Sequence, residues 1–241
     1  MLFDIHSHIL PSVDDGSQSM SESLQLLSLM RSQGITDVIA TPHFYPLEDT
    51  FDDYKCRIAK AYKALLKETE GKDLPNIYLG SEVLYYRYIG NSESVFELCL
   101  NNSRYLLLEL TDECICKEFF EDMENLYNKL GITPIIAHLE RYCYAPNYKK
   151  LLKYIKNSAL LAQINASSLF SQSRKVTEKL IKGGYVNFIA TDAHSVTRRP
   201  PLMKQALAEI AERLGTEYAS GFIRNSQILL EKICEVTNEE Q

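Results

Sequence analysis

The sequence predicts an α/β fold: a parallel barrel of seven βα units, related to the eight-stranded barrel. Three observations carry this expectation. Short β-rich runs alternate with helix-length amphipathic stretches along the chain. The 241 residues suit one α/β barrel, and no proline-rich, glycine-rich or charge-block linker divides them, so a single domain over residues 1–241 is expected. Every histidine falls at or just beyond the C-terminal end of an expected strand, the rim on which such barrels gather catalytic groups. An open doubly wound sheet is the alternative architecture.

The expected strands are residues 2–6, 37–41, 76–80, 105–110, 134–138, 161–165 and 186–191. The first helix, residues 19–33, opens on a Ser19-x-x-Glu22 capping box, places Met20, Leu24, Leu27 and Met30 on one face, and stops at Gly34. Residues 54–69, 117–130, 148–155, 175–182 and 202–214 repeat that pattern. Residues 85–103 read as loop and short helix, and residues 220–241 as a C-terminal helix with a frayed acidic end.

Composition narrows the function. Lys plus Arg number 26 against 32 Asp plus Glu, a formal charge of −6, which lacks the basic surplus that holds a long nucleic-acid backbone. Hydrophobic residues at 45% and charged residues at 24% are ordinary for a globular domain and exclude a disordered chain. No apolar run approaches the ~18 residues of a membrane helix, and the first residues carry no secretory signal pattern. Six cysteines without a C-x-x-C spacing read as reduced thiols of a cytoplasmic protein, with Cys114 and Cys116 as surface or core filler.

The chemistry lies in five histidines, His6, His8, His43, His138 and His194, joined on the same rim by Asp15, Glu82 and Asp192. Each element alone has a plain structural reading. His6-x-His8 suits local packing, Asp14-Asp15-Gly16 an ordinary turn, Glu82 a solvated loop acid, and Asp192 with His194 a helix cap. Together they form eight donors from five strands. Imidazole with carboxylate suits Zn, Mn or Fe, and eight donors exceed the needs of one ion. Two neighbouring ions clamp the oxygens of a phosphoryl transfer and generate hydroxide near neutral pH, so phosphate ester hydrolysis follows.

The segments Asp4-Ile5-His6-Ser7-His8-Ile9, Val13-Asp14-Asp15-Gly16, Thr41-Pro42-His43, Gly80-Ser81-Glu82-Val83, Ile136-Ala137-His138-Leu139-Glu140-Arg141-Tyr142, Thr191-Asp192-Ala193-His194 and Arg199-Pro200-Pro201 resemble, in order, the polymerase and histidinol phosphatase (PHP) superfamily. Within it they most resemble the bacterial manganese-dependent protein-tyrosine phosphatases of capsule and exopolysaccharide systems. The resemblance runs to about residue 230, and His-Leu-Glu-Arg-Tyr and Arg-Pro-Pro are its specific part. It implies a distorted (β/α)7 TIM-like barrel and three divalent ions, usually manganese. One ion takes His6, His8, Glu82 and Asp192; Glu82 bridges to a second held by His138; Asp15, His43 and His194 hold the third. Three divalent ions would cancel the −6 charge, so acidity does not oppose an anionic substrate.

Arg141, three residues past His138, and Arg199, five past His194, are expected on the same rim as catalytic forks for phosphoryl oxygens. Arg198 is expected to face solvent. Tyr85, Tyr86 and Tyr88 suit either the mouth of the site or simple packing. The expected reaction is in-line attack by a metal-activated hydroxide with departure of phenolate, without a covalent intermediate. The cysteine route is excluded because no cysteine is followed by arginine six positions later. Alternatives are a small-molecule phosphatase such as a histidinol phosphatase, an amidohydrolase-type enzyme, and a non-catalytic module that binds a phosphorylated tail. The expected partner, from the resemblance, is the phosphotyrosine-bearing tail of a membrane-associated bacterial tyrosine kinase that regulates polysaccharide export.

Overall fold

A computed structural model describes residues 2–239 of the chain. The strands are β1 (Leu2–Ser7), β2 (Ile35–Ala40), β3 (His43–Phe44), β4 (Asn76–Leu79), β5 (Glu82–Leu84), β6 (Tyr105–Glu109), β7 (Thr133–Ile136), β8 (Leu161–Asn165) and β9 (Phe188–Ala190). The helices are α1 (Met20–Ser32), α2 (Phe51–Thr69), α3 (Lys117–Asn128), α4 (Tyr148–Asn157), α5 (Arg174–Lys182), α6 (Met203–Arg213) and α7 (Thr216–Glu239). Short 3-10 helices fill residues 89–102 and follow β7 and β8 as Leu139–Tyr142 and Ala166–Phe170. The acidic end expected of the last helix, at residues 240–241, lies outside the described residues.

All strands pair in parallel, β1-β2-β4 in one sheet and β3-β5-β6-β7-β8-β9 in the other. Strand order follows chain order, without the reversal of an open doubly wound sheet. Two short strands, β3 and β5, continue past the expected strand ends at residues 41 and 80. Only Thr41 and Pro42 separate β2 from β3, and only Gly80 and Ser81 separate β4 from β5. Pro42 has no N–H for the ladder, so hydrogen bonding stops and restarts one residue later. The restart brings His43 beside Glu82.

The sheet curls into a half-barrel whose first and last strands approach each other. Ser7 bridges Ala193 in parallel, His8 N–H donates to the Ala193 carbonyl at 2.9 Å, and Asp192 N–H donates to the His6 carbonyl at 2.9 Å. The fully buried Asp4 carboxylate ties the same seam by accepting from Thr191 N–H at 2.9 Å and Thr191 Oγ1 at 2.5 Å.

Helix ends follow their capping chemistry. Ser19 Oγ accepts from Glu22 N–H at 3.2 Å, while the Glu22 carboxylate reaches Gln18 N–H at 3.0 Å, one residue before the expected partner. α2 starts three residues earlier than expected because Thr50 caps it through Asp53 N–H. The main core lies largely between sheet and helices. A second cluster fills the curl with Phe3, Ile5, Ile39, Leu107 and Ile135, and α7 seals it with Leu229 and Ile233. No helix among the described residues is long and apolar enough to cross a membrane. No disulfide joins the six cysteines.

Ile233 is fully buried at that seal. Ile233→Ala should cost about 3 kcal/mol and lower Tm by roughly 6–12 °C in a thermal melt. An unchanged midpoint would show that α7 does not close the interior.

Candidate metal centre

Strand geometry sets the donors. His6 lies on β1 and His8 one residue past its end, and two-residue spacing on extended backbone puts both imidazoles on one side. His43 and Glu82 open two paired strands, Leu84 pairs with Glu109 on the next, and His138, Asp192 and His194 follow β7 and β9. His138 and Asp192 both adopt left-handed backbone, with φ of 34° and 50°, so two of the expected ligands stand on strained backbone. Gly16 lies so close to His8 that an added Cβ would collide with its carbonyl oxygen and its Cβ.

The buried Glu82 carboxylate is the hub. Its Oε2 lies 3.1 Å from His6 Nε2, 3.2 Å from His8 Nε2 and 3.1 Å from His43 Nδ1, and its Oε1 lies 2.9 Å from His138 Nε2. Asp192 Oδ1 stands 3.4 Å and 3.5 Å from the same His6 and His8 nitrogens, which are themselves 3.2 Å apart. Asp15 Oδ1 reaches His43 Nε2 and His194 Nε2, each at 3.3 Å. Three groups of donors are close enough to hold an ion: His8 with Asp15, His43 and His194; His6 with His8 and Asp192; and His43 with Glu82 and Glu109. All eight expected metal-site residues therefore meet on one rim.

The donor set fits divalent cations. His43 Nδ1 and His194 Nε2 are buried without a hydrogen-bond partner among the described residues. Carboxylates and imidazoles otherwise face one another across the same small space, the mixed set that Mn, Fe and Zn accept. Electrostatics in the chain alone point the same way. Burial opposes charge on His8, yet Asp14 and Glu82 push its pKa up to about 10. Burial also opposes ionisation of Asp192, which His6, His8 and Arg199 hold well below the usual carboxylate range. Burial and the neighbouring His8 charge lower His194 to about 4. Positive charge in the cage gathers on His6 and His8, while burial and nearby cationic groups lower His43, His138 and His194.

Outer partners orient the rings. His8 Nδ1 donates to Asp14 Oδ2 at 2.8 Å, His6 Nδ1 to Gln163 Oε1 at 3.3 Å, and His194 Nδ1 to the Asp192 carbonyl at 2.9 Å, so each Nε2 faces the centre. The Tyr142 hydroxyl lies 3.0 Å from His138 Nδ1. Gln163 passes the network through Asn165 to Asp192 Oδ2, at 2.8 Å and 2.6 Å. Asp192 Oδ2 also accepts from Arg141 at 2.8 Å and Arg199 at 2.5 Å, which brings both guanidinium groups to the rim. Arg198 is exposed.

Four contributors escape the sequence reading. Glu109 lies 3.5 Å from His138 Nε2 and 3.8 Å from His43 Nδ1, and burial with nearby Glu82 pushes its pKa up to about 7. It is the last residue of β6, so the rim rule identifies it once the strand end is placed. Asp14 acts through His8. Gln163 and Asn165 alternate as polar residues on one face of an otherwise apolar strand, which is their only sequence signal. Of the three tyrosines, Tyr85 is buried and donates to Asp122 at 2.9 Å, Tyr86 is half-buried and Tyr88 is exposed. Cys114 and Cys116 join none of the donor groups.

Comparisons with known proteins give the relatives of this chain. The chain is 34% identical to CapC of Staphylococcus aureus, covering 95% of this chain and 91% of that one. It is 30% identical to the tyrosine-protein phosphatase CpsB of Streptococcus agalactiae, covering 95% and 98%. A solved structure from the work on YwqE of Bacillus subtilis and CpsB of Streptococcus pneumoniae, described as metal-dependent tyrosine phosphatases, matches with TM-score 0.84. That match has 27% identity over 96% of this chain and 95% of that chain. β-Aspartyl dipeptidase of Fervidobacterium islandicum AW-1 shares the fold alone, with TM-score 0.55, 14% identity and coverage of 93% and 73%. Residues 2–231 match the family described as capsular polysaccharide synthesis, CpsB/CapC, and the chain belongs to that family.

Proposed function

We propose that this chain is a metal-dependent protein-tyrosine phosphatase. The observation that carries the reading is the meeting of all five histidines with Asp15, Glu82, Glu109 and Asp192 beside two arginines. Three divalent ions, Mn²⁺ before Fe or Zn, are assigned to it. His6, His8, Glu82 and Asp192 would hold one, Glu82, His138 and Glu109 a second, and Asp15, His43 and His194 the third. When bound, such ions supply charge neutralisation at phosphorus and acidify water near neutral pH. The single domain is assigned to residues 1–241. It is read as a distorted seven-stranded barrel, with β2 and β3, and β4 and β5, each counted as one broken strand.

The protein's own groups do the positioning. Arg141 and Arg199 present guanidinium forks at Asp192, where the same donors suit two oxygens of a phosphoryl group. These forks stabilise charge that grows on those oxygens as the ester P–O bond breaks. Beside His43 a cavity of about 480 Å³ is bounded by Val13, Asp15, Tyr45 and Arg57. Tyr45 stacks on His43 with ring centroids 5.0 Å apart and planes 18° from parallel, a flat wall for an aromatic leaving group. A phenol, pKa ~10, departs as phenolate without a strong acid and takes its proton from solvent. The substrate is assigned as the phosphotyrosine-bearing tail of a membrane-associated bacterial tyrosine kinase in capsule synthesis, met in the cytoplasm.

Protein stripped with chelator should lose turnover of a phosphotyrosyl peptide and regain it with Mn²⁺. His138→Ala and Arg141→Ala should each lower kcat/KM at least ~100-fold. Full turnover in the chelated protein would exclude the mechanism, and preference for histidinol phosphate over the peptide would reassign the substrate. Asp14→Asn should weaken Mn²⁺ binding roughly 10–100-fold, measured by titration calorimetry, because it frees the His8 ring to turn.

Binding should also depend on pH. His8 carries a proton below a pKa of about 10, and His6 is likewise raised by Glu82 and Asp192 against the cost of burial. An ion must displace those protons, so Mn²⁺ affinity should rise between pH 6 and pH 8 with release of acid to the buffer. Affinity that improves on acidification would contradict this sign.

A further inference from the structure

A charge asymmetry outside the metal centre has no role in the chemistry above. α4 carries four lysines and no acid, and α5 carries Arg174, Lys175, Lys179 and Lys182 with Glu178 as its only acid. All eight cations are exposed, in a chain whose formal charge is −6. None forms an ion pair among the described residues, and Glu178 is taken by Arg213 of α6 at 2.8 Å. Lys150 and Lys156 lie over the rings of Phe120 and Tyr185, which orders them and leaves their charge in place.

The two helices flank β8 in sequence, and Lys156 near the end of α4 lies over the ring of Tyr185 just after α5. At their N-terminal ends, on the metal-centre rim, stand two exposed aromatic residues. Tyr144 precedes α4 at 92% exposure and Phe170 precedes α5 at 50%.

We propose that the α4–α5 face docks on an anionic lipid bilayer, with Tyr144 and Phe170 entering the headgroup layer. Lysine, seven of the eight cations, is a compact and mobile charge suited to a field of headgroups rather than to one fixed anion. Aromatic residues favour the membrane–water interface, and a basic patch with apolar anchors is the pattern of peripheral attachment. The attachment is independent of the phosphatase reading, and it turns the rim with the metal centre toward the membrane.

The test is co-sedimentation of the full chain with vesicles of phosphatidylcholine alone or with about one third phosphatidylglycerol. Binding should need phosphatidylglycerol and weaken with salt. Lys149→Glu, Lys153→Glu, Arg174→Glu and Lys179→Glu combined should lower partitioning at least ~10-fold, while p-nitrophenyl phosphate turnover, which reports folding, stays unchanged. Four like reversals at Lys60, Lys63, Lys67 and Lys72 should leave binding closer to that of the unaltered chain. Tyr144→Ser with Phe170→Ser should weaken binding without altering its salt dependence. Failure to bind the anionic vesicles, equal loss in both charge-reversed sets, or selective capture by an RNA probe with vesicles left bare would overturn the proposal.

Discussion

One buried carboxylate organises this molecule. Glu82 is almost inaccessible to solvent and lies within 3.2 Å of nitrogens from four imidazoles on three separate strand ends. An acid so placed must be neutralised by protons on its neighbours or by cations among them. The first occurs in the chain alone, where His6 and His8 are raised. The second converts the same electrostatic demand into affinity for metal. Burial, strand register and the pairing of His43 with Glu82 all serve that demand.

The surrounding hydrogen bonds decide whether the donors arrive aimed. Asp14, Gln163 and the Asp192 carbonyl each take the Nδ1 proton of a different histidine, which leaves the opposite nitrogen directed inward. Asp4, buried against Thr191, fixes the seam on which His6 and Asp192 stand opposite each other. Where backbone freedom would loosen that aim, it is absent. Gly16 is pressed against His8, and His138 and Asp192 are held in left-handed conformations that their surroundings impose.

Much of this was legible in the sequence for a geometric reason. In a parallel sheet the strand ends share a face, so residues 6, 43, 82, 138 and 192 can be assembled on paper before any coordinate is known. The rule failed where strands end other than expected. Glu109 ends β6 one residue before the expected strand end at Leu110, and β3 and β5 resume beyond the expected ends at residues 41 and 80. Gln163 and Asn165 show only a polar alternation on an apolar strand, for another cause. Their partners His6 and Asp192 lie 157 and 27 residues away, and only the folded register selects them. Thr50 shows the local version: its Thr-x-x-Asp cap starts the helix at Phe51, three residues before the expected start at residue 54.

The donors span the polypeptide from residue 6 to residue 194, and the first strand meets the last through Ser7 and Ala193. A growing chain on the ribosome therefore has no complete cage until almost all of it has emerged from the exit tunnel. A product that stops before residue 192 lacks Asp192 and His194 and cannot close the cage. Catalysis is thereby withheld until biosynthesis is nearly finished, with no inhibitor or pro-segment needed to keep the immature protein silent.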